Sequence, residues 1–159
     1  MTIRSESELN QIVKELEGAD YQVADIKKGE RYKKAPVPFT TSTMQQEASK
    51  VLNFATQKTM RIAQQLYEGI DIKGNGTVGL ITYLRTDSTR VSDEAEASVR
   101  EYISGNYGSE FVASGAAGKE NGKNIQDAHE AIRPTDVTRT PAAMKESLSR
   151  DQFRLYQLI

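Results

Sequence analysis

The nine residues from Thr82 to Arg90, T-Y-L-R-T-D-S-T-R, bring together a phenol, two guanidinium groups, a carboxylate and four aliphatic hydroxyls. The phenol of Tyr83 has an intrinsic pKa of about 10, so it leaves from phosphorus more easily than an alkyl alcohol does. A phosphotyrosine link can therefore form and be reversed without an outside source of energy. These residue types suit phosphoryl-transfer chemistry.

The spacing within this segment predicts which side chains act together. The preceding G-L-I predicts a strand, and in a strand Arg85 lies on the same face as Tyr83. The planar guanidinium could then hold a phosphate bidentately, and Asp87 on the same face could orient it. A tyrosine and an arginine on one strand face are also typical of a cross-strand pair over a solvated surface. The spacing alone leaves both interpretations open.

A second polar cluster surrounds His129, the only histidine of the chain. Arg133 and Thr135 follow closely, and Pro134 keeps the backbone of Arg133 out of the helical region. This grouping predicts a second phosphate-facing cluster, although a lone histidine is often structural or simply exposed. A metal site is disfavoured, because no cysteine or second histidine is present to complete it.

The composition limits the kind of protein this can be. Its 159 residues can form one domain, or one domain and part of another. With 21 basic and 22 acidic residues the net charge is -1, so a nucleic-acid site must be a local patch. The absence of cysteine excludes disulfides, and no stretch predicts a signal peptide or a membrane span. We expect a soluble cytoplasmic protein without membrane contacts.

The N-terminal third predicts one small unit followed by an extended linker. Ser5 and Glu8 indicate a helix start, the helix carries an apolar stripe, and Gly18 indicates its end. Tyr21 to Ile26 predicts a strand, and the basic stretch 27–34 is typical of a solvated turn or of a nucleic-acid contact. The prolines of 35–42 predict the linker, so we place the domains at 1–41 and 42–159.

The next residues predict two helices and a hairpin. Ser42 with Gln45 indicates the start of the first helix, and Thr56 indicates the start of the second. The first helix should bury four residues and the second three, with Ile62 and Leu66 beside them: Met44, Ala48, Val51 and Leu52, then Met60, Ala63 and Tyr67. The Asn75-Gly76 pair favours a tight hairpin. Helix, helix and hairpin is the order of a winged-helix module.

Helical patterns dominate the remainder. A helix from Ser92 or Asp93 should bury one face and end near Gly105, and the glycine-rich 114–124 predicts a loop. Thr140-Pro141 and Ser149 each indicate a helix start. The last helix has no stop signal, so we expect a truncated chain. The predicted fold class is α+β, mainly α.

Four ordered segments resemble the motifs of the type IA DNA topoisomerases, and they favour the bacterial topoisomerase I branch. They read P-F-T-T-S-T-M-Q-Q-E-A-S (38–49), T-M-R-I-A-Q-Q-L-Y-E-G (59–69), G-L-I-T-Y-L-R-T-D-S-T-R (79–90) and D-A-H-E-A-I-R-P-T (127–135). The resemblance implies that Tyr83 cleaves one DNA strand and keeps its 5′ phosphate, and that Arg85 and His129 assist at the phosphate. It also implies DNA contacts from five further residues, Thr82, Thr86, Asp87, Ser88 and Arg133.

The resemblance further implies what the chain lacks. The parent enzyme would relax negatively supercoiled DNA without ATP, using Mg²⁺ bound in a Toprim domain outside this chain. Residues 1–41 would belong to an arch domain and 42–159 to a winged-helix-like tyrosine-bearing domain. The expected partners are single-stranded DNA and the Toprim domain, and the bared site could pair with a second copy in a crystal. Alone, the chain would bind no cofactor and be inactive; the alternative is a non-catalytic winged-helix module that binds nucleic acid.

Overall fold

The computed structural model describes residues 2–31, 35–112 and 129–159. The chain forms two compact units, Met1–Lys34 and Ala35–Ile159. The glycine-rich segment 114–124 lies outside the described residues, and so does the end of the basic stretch 27–34. The linker residues 35–41 belong to the second unit, where the backbone of Thr41 is hydrogen-bonded to that of Thr86.

The first unit contains one helix, α1 (Glu6–Glu17). It begins as predicted, because the hydroxyl of Ser5 accepts a hydrogen bond from the amide of Glu8 at 3.2 Å. The predicted apolar stripe is not buried, and Leu9, for example, is 43% exposed. The strand predicted for 21–26 is wrong: these residues have no regular structure, since no described segment pairs with their backbone.

The second unit begins with α2 (Thr41–Glu47), which continues as a π-helical turn, Ala48–Leu52. A capping box of Thr40 and Thr43 starts α2, two residues before the predicted cap at Ser42. Met44 and Ala48 are buried as predicted, whereas Val51 is 54% exposed. The wider π turn shifts the later residues around the helix axis, which is why the 3.6-residue pattern misplaces Val51.

The predicted helix and hairpin follow. Helix α3 (Thr56–Glu68) starts at Thr56 without a side-chain cap and ends at Gly69, whose φ is +130°. Strands β1 (Ile70–Ile72) and β2 (Gly76–Val78) pair antiparallel around the turn 73–75. Gly74 and Gly76 take positive φ there, a conformation that glycine adopts without steric cost.

Helical elements complete the fold. Helix α4 (Asp93–Asn106) is capped by Ser92 and runs past Gly105, and its predicted buried face is only half-buried. Helices α5 (Pro141–Met144) and α6 (Arg150–Leu158) are capped by Thr140 and Ser149, as predicted. Two 3₁₀ turns, Ser109–Phe111 and Lys145–Ser147, follow α4 and α5.

The core lies where α3 contacts α2 and α6, and it includes Ile70 and Ile72 of β1. Its fully buried side chains include Met44, Leu66, Leu80, Ile81, Leu84, Ile132 and Leu155. Burying one such side chain stabilises the fold by about 1.5–3 kcal/mol. The fold class is α+β and mainly α, as predicted. Among the described residues, no helix is long and apolar enough to cross a membrane.

Candidate functional site

The segment that carries Tyr83 is irregular, so the strand predicted for it is wrong. After β2 its amides pair singly with different parts of the fold instead of forming a ladder. The amide of Leu80 donates to Leu66 O at 2.8 Å, and that of Thr82 donates to Arg133 O at 2.9 Å. The amide of Thr135 in turn donates to Leu80 O at 3.0 Å. The end of α3 and residues 131–135 therefore hold this segment from two sides.

Threonine hydroxyls supply the bonds that a neighbouring strand would otherwise make. Thr82 Oγ1 donates to Ala131 O at 2.7 Å and accepts from Arg133 N at 3.0 Å. Thr41, the first residue of α2, donates through Oγ1 to Leu84 O at 2.7 Å. The same oxygen accepts from Thr86 N at 2.9 Å. The amide of Thr82, the carbonyl of Leu84 and both backbone groups of Thr86 are thus hydrogen-bonded within the fold.

Exposure alternates along the segment even though it is not a strand. Leu84 and Thr86 are 1% and 8% exposed, whereas Tyr83 is 38% exposed. Arg85 and Asp87 are also exposed. Tyr83, Arg85 and Asp87 are therefore all accessible to solvent, an arrangement that does not require the predicted strand. The Thr41 and Thr82 hydrogen bonds fix it.

Tyr83 lies between two other rings. Its ring centroid is 5.2 Å from that of His129, with the planes tilted by 33°. On α3, the ring of Tyr67 is 5.5 Å from that of Tyr83, in an edge-to-face arrangement at 67°. The fold thus joins the two clusters that the sequence predicted separately. Tyr67 is a site neighbour that the sequence analysis assigned to the helix core, although it is 39% exposed.

Two arginines at this segment are available to an anion. Arg85 and Arg90 are exposed, and neither side chain forms an ion pair or hydrogen bond with the part of the chain that the structure describes. The predicted orientation of Arg85 by Asp87 is therefore not observed. An unpaired guanidinium keeps its planar set of donors free for a phosphate.

Arg133 is engaged within its own loop. Its Nη2 and Nε donate to Glu130 Oε2 at 2.6 and 2.9 Å, and its Nη1 donates to Pro134 O at 3.0 Å. Partial burial opposes ionisation of Glu130, but the hydrogen bonds from Arg133 and Ser92 and the nearby positive charges lower the pKa of this carboxyl on balance. A phosphate would have to compete with Glu130 for Arg133.

The remaining predicted DNA contacts divide into two kinds. The hydroxyls of Thr82 and Thr86 are used inside the fold, the latter accepting from Ser88 N at 3.1 Å. Ser88 Oγ in turn accepts from Arg90 N at 3.2 Å, which forms a second tight turn. Asp87 stays exposed, without an ion pair to the described residues. These hydroxyls shape the backbone that presents Tyr83.

The described residues contain no group of three or more His, Asp or Glu side chains that could hold a metal ion. What the site does present is an accessible phenol, an imidazole against it and two unpaired guanidinium groups nearby in the chain. A phenol can act as a nucleophile, and fixed cations stabilise the charge that develops on a phosphate. The arrangement suits covalent chemistry on a phosphodiester.

Comparison with known proteins identifies the family of this chain. The family model of the DNA topoisomerases matches residues 1–159. Full-length topoisomerase I from Thermotoga maritima is similar in structure, with a TM-score of 0.72 and 44% sequence identity over 94% of this chain. The chain spans 23% of the length of that protein. Because the family model extends over the whole sequence, we conclude that the chain belongs to the DNA topoisomerase family.

Proposed function

We propose that this chain supplies the nucleophile of a type IA DNA topoisomerase, which cleaves one strand of DNA through Tyr83. The observation that carries this proposal is the exposed phenol of Tyr83, held against His129 in a segment with two unpaired arginines. The similarity to topoisomerase I from Thermotoga maritima supports it. The parent enzyme would act in the cytoplasm on negatively supercoiled DNA.

The proposed reaction is a transesterification. The Tyr83 oxygen attacks the scissile phosphorus and loses its proton, while the bond from phosphorus to the 3′ oxygen breaks and that oxygen takes up a proton. The products are a 5′-phosphotyrosine and a free 3′ hydroxyl. The reverse attack by that hydroxyl reseals the strand. Because one ester replaces another, no ATP is required.

Arg85 and His129 would act on the phosphate itself. The Arg85 guanidinium is unpaired in the described structure and can bind two phosphate oxygens at once. His129 lies against the nucleophile, so a phosphate attached to Tyr83 would come close to its imidazole. A preorganised hydrogen-bond donor of this kind typically contributes a factor of about 10²–10³ to the rate.

Arg90, which was not among the predicted DNA contacts, and the predicted contacts themselves would serve binding more than chemistry. Asp87 and Ser88 line the same exposed segment, whereas Thr82 and Thr86 support its backbone. The proposed substrate is single-stranded DNA, since a flexible strand can place its phosphodiester against Tyr83.

Mg²⁺ does not fit the residues described here, because they contain no suitable group of ligands. We assign the metal to a Toprim domain elsewhere in the parent protein. The chain alone should then cleave no DNA. Residues 1–41 would be part of the arch domain and 42–159 a winged-helix-like domain, an assignment supported by the order α2, α3, β1, β2.

The test uses a 3′-end-labelled single-stranded oligonucleotide, Mg²⁺ and this chain, with and without the remaining part of the parent protein. After denaturation, the 5′-phosphotyrosine link leaves the label on the protein. We expect labelled protein only in the mixture, and none with Tyr83→Phe. If the two parts associate and bind DNA but no adduct forms, the chain is instead a non-catalytic nucleic-acid-binding module.

A further inference from the structure

We propose that Tyr67 is a positioning residue for Tyr83, holding the nucleophilic ring in one orientation through an edge-to-face contact. The ring centroids are 5.5 Å apart and the planes meet at 67°. Aromatic pairs favour this arrangement at centroid distances of about 4.5–7 Å. The catalytic consequence rests on the proposed function of Tyr83, whereas the contact itself does not.

The phenol of Tyr83 needs such a support because it is accessible. With 38% of its surface exposed, this side chain has fewer packing contacts than a buried ring to select one rotamer. His129 borders the ring at 5.2 Å, and Tyr67 borders it from α3. Removing one of two neighbours should let the ring sample other orientations.

The backbone fixes Tyr67 relative to the segment of Tyr83. The carbonyl of its neighbour Leu66 accepts a hydrogen bond from Leu80 N at 2.8 Å. Gly79 also lies close to the end of α3, since a Cβ at this position would be 2.7 Å from Tyr67 O. The last turn of α3, which includes Tyr67, is therefore fixed against the chain that leads to Tyr83.

The ring of Tyr67, and not its hydroxyl, carries out the proposed role. In the described part of the structure, neither the Tyr67 nor the Tyr83 hydroxyl forms a hydrogen bond. Tyr67→Phe should therefore preserve the orientation of Tyr83, and Tyr67→Leu should release it. If the Tyr67 hydroxyl instead took part in proton transfer, Tyr67→Phe would impair the reaction even though the ring is kept.

The chain also offers a matched control. Tyr107 is exposed and has an edge-to-face partner, Tyr102, at a centroid distance of 6.4 Å. Neither ring contacts Tyr83 or Tyr67 among the aromatic contacts of the described residues. Tyr107→Leu thus removes a comparable tyrosine away from the proposed site.

The first measurement is the χ1 rotamer distribution of Tyr83, from side-chain couplings in protein with isotopically labelled tyrosine. Tyr83→Phe assigns the signals. We expect one dominant rotamer in the unchanged chain, in Tyr67→Phe and in Tyr107→Leu, and a population shifted about two- to tenfold in Tyr67→Leu. An unchanged distribution in Tyr67→Leu would overturn the proposal. If Tyr67→Leu unfolds, Tyr67→Gln replaces it, because glutamine is a good helix former.

The second measurement is the rate of adduct formation with the labelled oligonucleotide in the presence of the remaining part of the parent protein. Tyr67→Leu should slow the adduct step about two- to tenfold while oligonucleotide affinity stays unchanged, and Tyr67→Phe should do neither. A loss of affinity without a change in the Tyr83 rotamer would make Tyr67 a base-stacking residue and overturn the proposal. An adduct that persists in Tyr83→Phe refutes the proposed function and leaves the rotamer result standing.

Discussion

The ring of Tyr83 lies 5.2 Å from the ring of His129, although the two residues belong to distant parts of the chain. The contact exists because the amide of Thr82 and the hydroxyl of Thr82 both bond to residues 131–133. The position of the candidate nucleophile and that of the only histidine are therefore set by the same hydrogen bonds. Changes to these bonds should alter both side chains together.

Arg85 and Arg90 should each contribute a phosphate contact. We expect Arg85→Ala and Arg90→Ala each to make the slope of log affinity against log salt less steep by about 0.7 for single-stranded DNA. The reason is that DNA binding releases fewer counterions when one phosphate contact is lost. Only Arg85→Ala should also slow adduct formation, by a factor of about 10² or more. Oligonucleotide titrations at several salt concentrations provide the slopes. Arg150→Ala, at the start of α6, is the control; equal slopes for Arg85→Ala and the unchanged chain would contradict the assignment.

Thr41 should be a stabilising residue whose effect is local to the segment of Tyr83. Thr41→Val keeps the shape but removes the oxygen that bonds Leu84 O and Thr86 N, leaving part-buried polar groups unpaired. We expect a loss of about 1–3 kcal/mol in the free energy of unfolding, measured in urea, and faster hydrogen exchange at the Thr86 amide. Thr56→Val, an exposed threonine at the start of α3, should change stability by less than about 0.5 kcal/mol. Equal losses for the two variants would show that the Thr41 bonds contribute nothing.

Gly79 and Gly105 should respond in opposite ways to alanine. A Cβ at Gly79 would meet Tyr67 O at 2.7 Å, so Gly79→Ala must push the end of α3 away, at a cost of about 1–3 kcal/mol. At Gly105, inside α4, nothing lies within 4 Å of the added carbon. Gly105→Ala should therefore stabilise the fold by about 0.5–1 kcal/mol. Thermal unfolding of both variants tests the pair, and a neutral Gly79→Ala would contradict the close approach.

Acid should weaken the loop that carries His129. The pKa of Glu130 is lowered in the folded state, since its hydrogen bonds from Arg133 and Ser92 outweigh the effect of burial. A carboxyl with a lowered folded pKa stabilises the fold above its unfolded value, and this stability is lost as pH falls through the folded pKa. The loss should begin below the ordinary value of 4.5. In acid titrations of unfolding stability, Glu130→Gln should flatten this limb, and Glu17→Gln in α1 should leave it unchanged.

Local chemistry explains which elements were predictable. Ser92, Thr140 and Ser149 each cap the helix that the sequence assigned to them, because a cap depends on a few adjacent residues. The hairpin of β1 and β2 was predictable for the same reason, since its turn requires glycine at positive φ.

The wrong predictions concern features that the spacing of apolar residues in the sequence does not encode. A π turn within one helix places Val51 on the surface, and threonine hydroxyls replace the ladder expected around Tyr83. The residue types predicted two separate polar clusters, one around Tyr83 and one around His129, and the fold brings these two side chains together. The contact between the Tyr67 and Tyr83 rings was not predictable from the sequence, because it depends on where α3 ends relative to Gly79.

The irregular segment around Tyr83 also constrains the order of folding. The hydrogen bonds that Thr41, Thr82 and Thr135 make in holding it join residues 43 to 56 positions apart, as between Thr41 and Leu84 or between Gly79 and Thr135. Contacts of such long range form only after extensive chain closure, in contrast to the helices and the hairpin. We therefore expect Tyr83 to reach its final position last, after residues 131–135 have been synthesised and have packed against the segment. Pulse-labelled hydrogen exchange at the Thr82 amide should report this late step. In a nascent chain, Tyr83 would therefore stay in an unfolded segment until His129 has been synthesised and has packed beside it.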